Sequence, residues 1–423
     1  MDASRRPASL ALQAGMNNPH NARGQSPAVL TIPMSEMHMI AENVDSVDGN
    51  GAAPIVFVVG YPSYVGGADT ELWHTVKLWR TAGFDVRIIP TWKAPDDWKA
   101  RLEQIGVPTH EVAGPADLAA VPDLPGSTVV SFCNGEFLNC THEFKRLECR
   151  IVWVNCMTWI FPKEIEQYEQ HGPFDGYVFQ SDFQRQELLP ALARFGVTEA
   201  RCHLIRGAFA FDEFPFHPLP HCQGEPFVFG RIARPDLDKW SSNLWPIYGA
   251  VQYSNKQAKV MAWDGLLTKK CGMPPPWALA LKANAEPARK FMASLHCLFP
   301  INGGARENWP RSGLEAMASG VPVVAQREWG WREMIEHGVS GFLGGDDCEL
   351  AHYAAMLAHD EELRLHLAEG ARHRLVTELA SPRTILPKWR NLLLDVDASR
   401  PHTSPLATSI QEGPTAFECL TQE

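Results

Sequence analysis

The sequence predicts an α/β chain of two doubly wound domains that face each other across a cleft. Three observations carry that expectation. Short apolar runs of strand length alternate with segments of helical period from Ile55 to about Gly207; a proline-rich stretch then interrupts the pattern; a second alternating set starts at Phe227. Such alternation gives mainly parallel sheets covered by helices, and the ligands of such sheets bind beyond the carboxyl ends of the strands.

In order, Ile55–Val59 reads as the first strand, the Gly- and Pro-punctuated Gly60–Gly67 as a turn, and Leu72, Val76 and Trp79 as the buried stripe of a helix that Gly83 ends. "FDVRIIP" supplies the next strand and completes a βαβ unit. Further strands follow at Thr128–Phe132, Arg150–Cys156, Gly176–Ser181 and Cys202–Gly207. "AFDEFPFHPLPHCQGEPF" carries four prolines and little periodicity, the composition of a connection between domains. Then come strand Phe227–Gly230, strand Ala258–Trp263, a helix over Glu286–Leu295, strand His296–Pro300, and a final helical region from Glu349 to about Leu379. The expected limits are a disordered leader over 1–52, a first domain over 53–211, a linker over 212–226, a second domain over 227–382, a last helix over 383–397 crossing back toward the first domain, and a flexible tail over 398–423.

Composition narrows the function classes. A net charge of −11 repels a polyanion, so no nucleic acid partner is expected. The ten cysteines include no C-x-x-C pair and several lie in apolar runs, which reads as reduced, buried thiols in a cytoplasmic protein. No apolar run approaches the ~18 residues of a membrane span. Lys269-Lys270 is too short a basic patch to hold a membrane surface. The first fifty residues lack the unbroken apolar core of a secretory signal.

The most informative stretch is "ENWPRSGLEAMASGVPVVA", which sets Glu307 and Glu315 eight positions apart around Pro310. The proline makes one continuous helix through both acids unfavourable. Glu307 therefore reads as a loop residue. Ser312-x-x-Glu315 matches a capping box, with a helix from Gly313 to about Ser319, Gly320 ending it and "VPVVA" as the next strand. Spacing alone leaves two readings open: a capping acid plus a solvated loop acid, or a site. Amides at a helix amino end beyond a strand suit phosphate oxygens, whereas carboxylates there suit hydroxyl donors. A nucleotide sugar offers hydroxyls on both sugar and ribose.

The longer run "FPINGGARENWPRSGLEAMASGVPVVAQREWGWREMIEHGVSGFL" resembles the signature of the large retaining, nucleotide-sugar-dependent glycosyltransferase family of group 1 (family 4 type) with the GT-B fold. In that family, E-x7-E precedes E-A-M-A-x-G-x-P-V-V-A, a G-x-x-E and a G-x-x-G-x-L. The resemblance extends to "GGADTELWHTVKLWRTAGFDV", "VFQSDFQRQELL" and the Gly230-Arg231 of "FVFGRIARPDLDKW", and it spans Ile55 to Leu394. It implies two Rossmann-like domains, the first on the acceptor side and the second holding the nucleotide-sugar donor, UDP- or GDP-linked, with no cofactor. The acceptor would be a hydroxyl of a glycan, lipid or small molecule. Glu307 would contact hydroxyls of the transferred sugar and Glu315 the ribose. Backbone around Arg311, Ser312, Gly313 and Leu314 would help hold sugar and phosphate, and Glu333 would sit near the nucleotide. Gly66 and Gly67 would let backbone approach the diphosphate, although an ordinary βα turn explains them equally well locally.

Transfer leaves negative charge on the β-phosphate, and the family places an Arg and a Lys there in a pattern like G-R-L-x-x-x-K. Gly230-Arg231 fits. Lys239 stands three positions further along than the pattern, and Arg234 competes with it. Asp236-Leu237-Asp238 spells the D-x-D of a different glycosyltransferase fold; an accidental match is expected, with no metal site. The family's acceptor-side histidine has no counterpart in "VWVNCMTWIFPKE", where Asn155 and Thr158 stand nearest. Trp153 and Trp159 could stack on sugars or pack in the core. The expected reaction is glycosyl transfer with retention. A nucleotide-sugar epimerase, a glycan phosphorylase or a non-catalytic binding protein of the same fold are the alternatives.

Overall fold

The structure, a computed structural model, describes residues 53–62, 67–90 and 93–394, which belong to one compact unit. The expected leader, the expected tail, the last residues of the expected 383–397 helix, and Gly66 lie outside the described residues. The first lobe is built on a parallel sheet of β1 (Ile55–Val59), β2 (Asp85–Ile89), β3 (Thr128–Phe132), β4 (Arg150–Val154), β5 (Gly176–Phe179) and β6 (Cys202–Leu204). Its spatial order is β2-β1-β3-β4-β5-β6. The central strands are continuous apolar runs because helices cover both faces.

The second lobe repeats the plan with β7 (Phe227–Ile232), β8 (Lys256–Met261), β9 (Ala278–Leu281), β10 (Cys297–Leu298), β11 (Val323–Gln326) and β12 (Gly341–Gly344), again all parallel, in the order β12-β11-β10-β7-β8-β9. Numbered from its own first strand, that is the 3-2-1-4-5-6 order of a dinucleotide-binding sheet. Strand order reverses between β1 and β3 in one lobe and between β7 and β10 in the other. Crevices open at such reversals, so the loops after these four strands are the ones positioned to hold a ligand.

Several elements differ from the sequence expectation for physical reasons. Strand β7 runs on to Ile232, which puts Arg231 on a strand rather than in a loop. Gly230 permits this, because a Cβ there would lie 1.6 Å from the Lys259 carbonyl oxygen of β8. Strands β9 and β12 were not anticipated. The expected Glu286–Leu295 helix contracts to Ala288–Met292. The region 349–379 divides at Asp360, whose side chain accepts the Leu363 amide at 2.9 Å and caps a new helix, Glu361–Arg374, after Asp347–His359. The helix of the quoted motif spans Arg311–Ser319 and starts two residues early: Pro310, not Ser312, occupies the cap, and Ser312 caps nothing. Gly320 ends it as expected, in the left-handed region at φ 81°.

The last helix, Pro382–Leu394, crosses back onto the first lobe, setting Trp389 edge-on to Trp79 with ring centroids 4.9 Å apart. Among the described residues no helix is long and apolar enough to cross a membrane, and no disulfide is formed.

Candidate active site

A cavity of ≈ 670 Å³, the size of a small-molecule site, opens at the carboxyl ends of both sheets. The first lobe contributes Gly67 and Glu71 from the helix Gly67–Thr81, the segment Cys156–Trp159 after β4, and Gln180 after β5. The second lobe contributes Arg231 at the end of β7, the loop through Lys239, and the loop after β10 that leads into the Arg311–Ser319 helix.

Of the residues singled out in the sequence, Gly67, Arg231, Lys239, Glu307, Ser312 and Glu315 line this cavity. Gly313 and Leu314 are not brought to it. Leu314 is fully buried, and the Gly313 position is filled from behind: its amide bonds the Pro310 carbonyl at 3.0 Å, and a Cβ would meet Met334 Sδ at 2.6 Å. Glu333 also turns elsewhere. Its carboxylate accepts the Asp182 and Phe183 amides (3.0 and 2.7 Å), capping the first lobe's helix Asp182–Ala193. Asn155 is committed to the Val178 carbonyl, and Trp153 is a core residue stacked on Phe137. Thr158 and Trp159 do reach the cavity, and Trp159 is 50% exposed.

The charges divide into satisfied and unsatisfied ones. Lys239 Nζ donates to Glu307 at 2.7 Å, so these two predicted residues hold each other across the second-lobe wall. Arg234 pairs with Asp236 at 3.0 Å, which ties up half of the D-x-D tripeptide. Arg231 is 2% exposed, bonds only the Ile301 carbonyl and Asn302 Oδ1, and lies over the Trp240 ring at 4.6 Å. Among the described residues no carboxylate forms a salt bridge with it. Glu315 is 8% exposed and accepts no hydrogen bond from any described residue. Burial pushes its carboxyl up to about 7, against the pull of Arg311 one turn earlier.

Four cavity residues escaped the sequence reading: Glu71, Gln180, Asn308 and the Arg311 side chain. Glu71 is 4% exposed, and burial pushes its carboxyl up to about 7. Gln180 Nε2 donates to it at 2.5 Å, Asn308 Nδ2 donates to Gln180 Oε1 at 2.7 Å, and Ser181 Oγ donates to Asn308 Oδ1 at 2.5 Å. Arg311 Nη1 donates to the Ala208 carbonyl (2.9 Å) and Nη2 to His74 Nδ1 (2.6 Å). Arginine has only donors, so His74 accepts through Nδ1 and carries its proton on Nε2, consistent with burial lowering its pKa to about 4. The one local signal was a polar pair, Glu71 and His74, spaced i, i+3 on a helix whose buried stripe includes Leu72, Val76 and Trp79.

Comparison with known proteins bears on part of the second lobe. Residues 289–374 match the family described as "Glycosyl transferases group 1". N-acetyl-alpha-D-glucosaminyl L-malate synthase of Bacillus anthracis is 38% identical over 85 residues, 20% of this chain; the chain thus spans about a fifth (22%) of that relative's length. The crystal structure of Anabaena HepE in complex with UDP-glucose superimposes with a TM-score of 0.61 over 80% of this chain and 99% of that one, at 19% identity. Sucrose-phosphate synthase of Thermosynechococcus elongatus does so at 0.59, over 81% and 99%, at 14% identity. The stretch 289–374 is thus similar to the group 1 glycosyl transferases, and it is set within a chain of GT-B fold.

Proposed function

We propose that this chain transfers a glycosyl unit from a nucleoside diphosphate sugar to an acceptor hydroxyl, with retention of anomeric configuration and without a metal or other cofactor. One observation carries the reading: a single cavity holds a buried guanidinium, Arg231, and a buried carboxylate, Glu315, and among the described residues the first has no counter-carboxylate and the second no hydrogen-bond donor. Buried charges without partners are costly. The two unmet demands are complementary to a ligand that carries phosphate at one place and hydroxyls at another.

In this reading Arg231 and Lys239 face the departing β-phosphate. Each cation at ~4 Å contributes about 4 kcal/mol at an effective dielectric of 20, before desolvation costs. That charge is what a metal would otherwise bring, so the D-x-D tripeptide has no role. Glu307, oriented by its bond to Lys239, accepts hydroxyls of the transferred sugar, and Glu315 accepts those of the ribose. The amides of Arg311 and Ser312 at the helix start remain for phosphate oxygens, Gly313's being already engaged. Retention rests on the resemblance of the Glu307–Ala325 run. With Glu307 tied to a lysine, same-face attack assisted by the departing phosphate is the mechanism favoured. HepE's UDP-glucose complex supports a uridine nucleotide in the donor.

The test is nucleotide release from UDP-, GDP- and ADP-sugars against a panel of hydroxyl acceptors, with product anomers read by NMR and EDTA present in one arm. Acceptor-dependent release of UDP, an unchanged anomer and insensitivity to EDTA are expected. Turnover without acceptor would indicate an epimerase, phosphorolysis a phosphorylase, and the absence of turnover a binding protein.

A further inference from the structure

We propose that Glu71 binds the attacking hydroxyl of the acceptor and that, together with Trp159, it selects an uncharged polyhydroxy acceptor; this rests on the glycosyl-transfer reading above. The sequence match lies wholly in the second lobe, and the acceptor wall belongs to the first. Glu71 is the buried acid on that wall. Its placement is rigid: Gln180 Nε2 holds one carboxylate oxygen at 2.5 Å, and the Gly207 backbone packs so closely that a Cβ there would lie 2.7 Å from Glu71 Cδ.

The direction of the holding network is also fixed. Ser181 donates to Asn308, Asn308 donates to Gln180, and Gln180 donates to Glu71, so the carboxylate is the terminal acceptor of a chain in which the other oxygen is left over. Among the described residues nothing donates to that second oxygen, Oε1. A hydroxyl is the donor it can accept from. Asn308 directly follows Glu307, so the same chain sets the acceptor carboxylate in register with the residue proposed to grip the transferred sugar. During transfer the acceptor oxygen bonds the anomeric carbon, the bond from that carbon to the β-phosphate oxygen breaks with its electron pair leaving on phosphate, and the acceptor proton passes to the departing phosphate. Glu71 orients the hydroxyl and keeps no net proton.

Charge selects against anionic acceptors. Among the described residues, the first-lobe lining includes no lysine, arginine or histidine. On the opposite wall Lys239 is paired with Glu307, Arg234 with Asp236 and Arg306 with Glu187, while the Arg311 charge acts on Glu71 itself and its Nη1 and Nη2 are taken by the Ala208 carbonyl and His74, so none of these four is spare for a second anion. An acceptor carboxylate or phosphate beside Glu71 would meet a like charge instead. Trp159, half exposed at the cavity and steadied edge-on by Phe161 at 6.3 Å, offers an aromatic face suited to the C–H face of a sugar ring.

The experiment uses the full chain with UDP-glucose and four probes: methyl glucoside and maltose as neutral acceptors, L-malate and glucose 6-phosphate as anionic ones. The wild-type chain should transfer to a neutral probe at least tenfold faster than to either anion. Glu71→Gln, which keeps the shape, should lower kcat for transfer about 100-fold, yet leave the donor KM and the UDP-induced thermal shift close to wild type. Glu71→Asp should recover part of the loss. Trp159→Ala should raise the acceptor KM about tenfold with kcat little altered. Faster transfer to an anion, no transfer to neutral probes above hydrolysis, or loss of the UDP-induced thermal shift in Glu71→Gln would each overturn the proposal. If the wild-type chain releases no nucleotide from any sugar donor, the glycosyl-transfer reading itself fails; full transfer by Glu71→Gln sinks this inference alone.

Discussion

Glu315 shows how a residue's environment states its task. A carboxylate that is buried, raised to about 7 and given no hydrogen bond by any described residue is poorly solvated, and two ribose hydroxyls would supply such bonds. Hydrogen bonds to a charged group contribute about 1.5–3 kcal/mol. Glu315→Ala should therefore raise the donor KM roughly 10- to 100-fold. The same loss should appear when the wild-type chain is given a 2′,3′-dideoxyribose donor, and the two losses should not add; additive losses would place the ribose elsewhere. Ionised Glu315 is the better acceptor, so donor affinity should weaken as pH falls through about 7, and Glu315→Gln should flatten that profile in isothermal titration. Arg231→Ala should lower kcat roughly 10²- to 10³-fold, in line with loss of a donor to developing negative charge, and unchanged kcat would remove it from the leaving-group site. Arg231, Lys239, Glu307 and Glu315, which the structure brings to one cavity, could be singled out in the sequence because each lies in a short run that carries the resemblance. Glu71, Gln180 and Asn308 were not, since Glu71 and Gln180 are 109 positions apart, and Gln180 and Asn308 are 128 apart.

At the scale of elements, what could be read was whatever a single period or a single end signal determines. β1 and β3 match their expected limits because continuous Val/Ile/Phe runs admit little else. β9 ("ALAL") and β12 ("GFLG") were missed because alanine and glycine are weak strand formers; tertiary pairing at the sheet edges decides them. The motif helix began early because proline at the cap outweighs the Ser312 side chain. A buried end signal also carries a pH dependence. In the helix Pro162–His171, Glu164 is 1% exposed, accepts the Tyr168 hydroxyl and, weakly at 3.5 Å, the Phe161 amide, and burial raises it from 4.5 to about 7. A raised folded-state value means that its contribution is fully present below about pH 4.5 and is lost as pH rises through about 7. Glu164→Gln removes that titration. Its stability relative to wild type should be similar at pH 4.5 and higher by up to about 3 kcal/mol at pH 8.5 in urea melts; a pH-independent difference would show the carboxyl to be ionised throughout.

Over the whole molecule, each sheet supplies one reversal of strand order, and the cleft works only if the two reversals meet. Buried polar bonds at the interlobe boundary hold them together. Asn308 is 5% exposed and sits between the lobes, taking the Ser181 hydroxyl on one side and giving its amide to Gln180 on the other. Glu333 adds a second clasp through the Asp182 and Phe183 amides, and Arg206, over the Trp309 ring at 5.1 Å, a third contact. None of these bonds contributes to either sheet, so losing one should act on closure more than on folding. Asn308→Ala leaves two buried groups without partners, at about 1–3 kcal/mol for each. Even ~2 kcal/mol shifts a closed-to-open ratio about 30-fold. The variant should show a larger radius of gyration in solution scattering and faster amide exchange over 180–184, with exchange in β1 and β7 little changed. Saturating UDP should reverse part of both effects, because a ligand that contacts both walls favours the closed arrangement. Wild-type scattering and exchange in Asn308→Ala would mean that the lobes are held by packing alone, and the acceptor carboxylate would then owe its register to something other than this chain of hydrogen bonds.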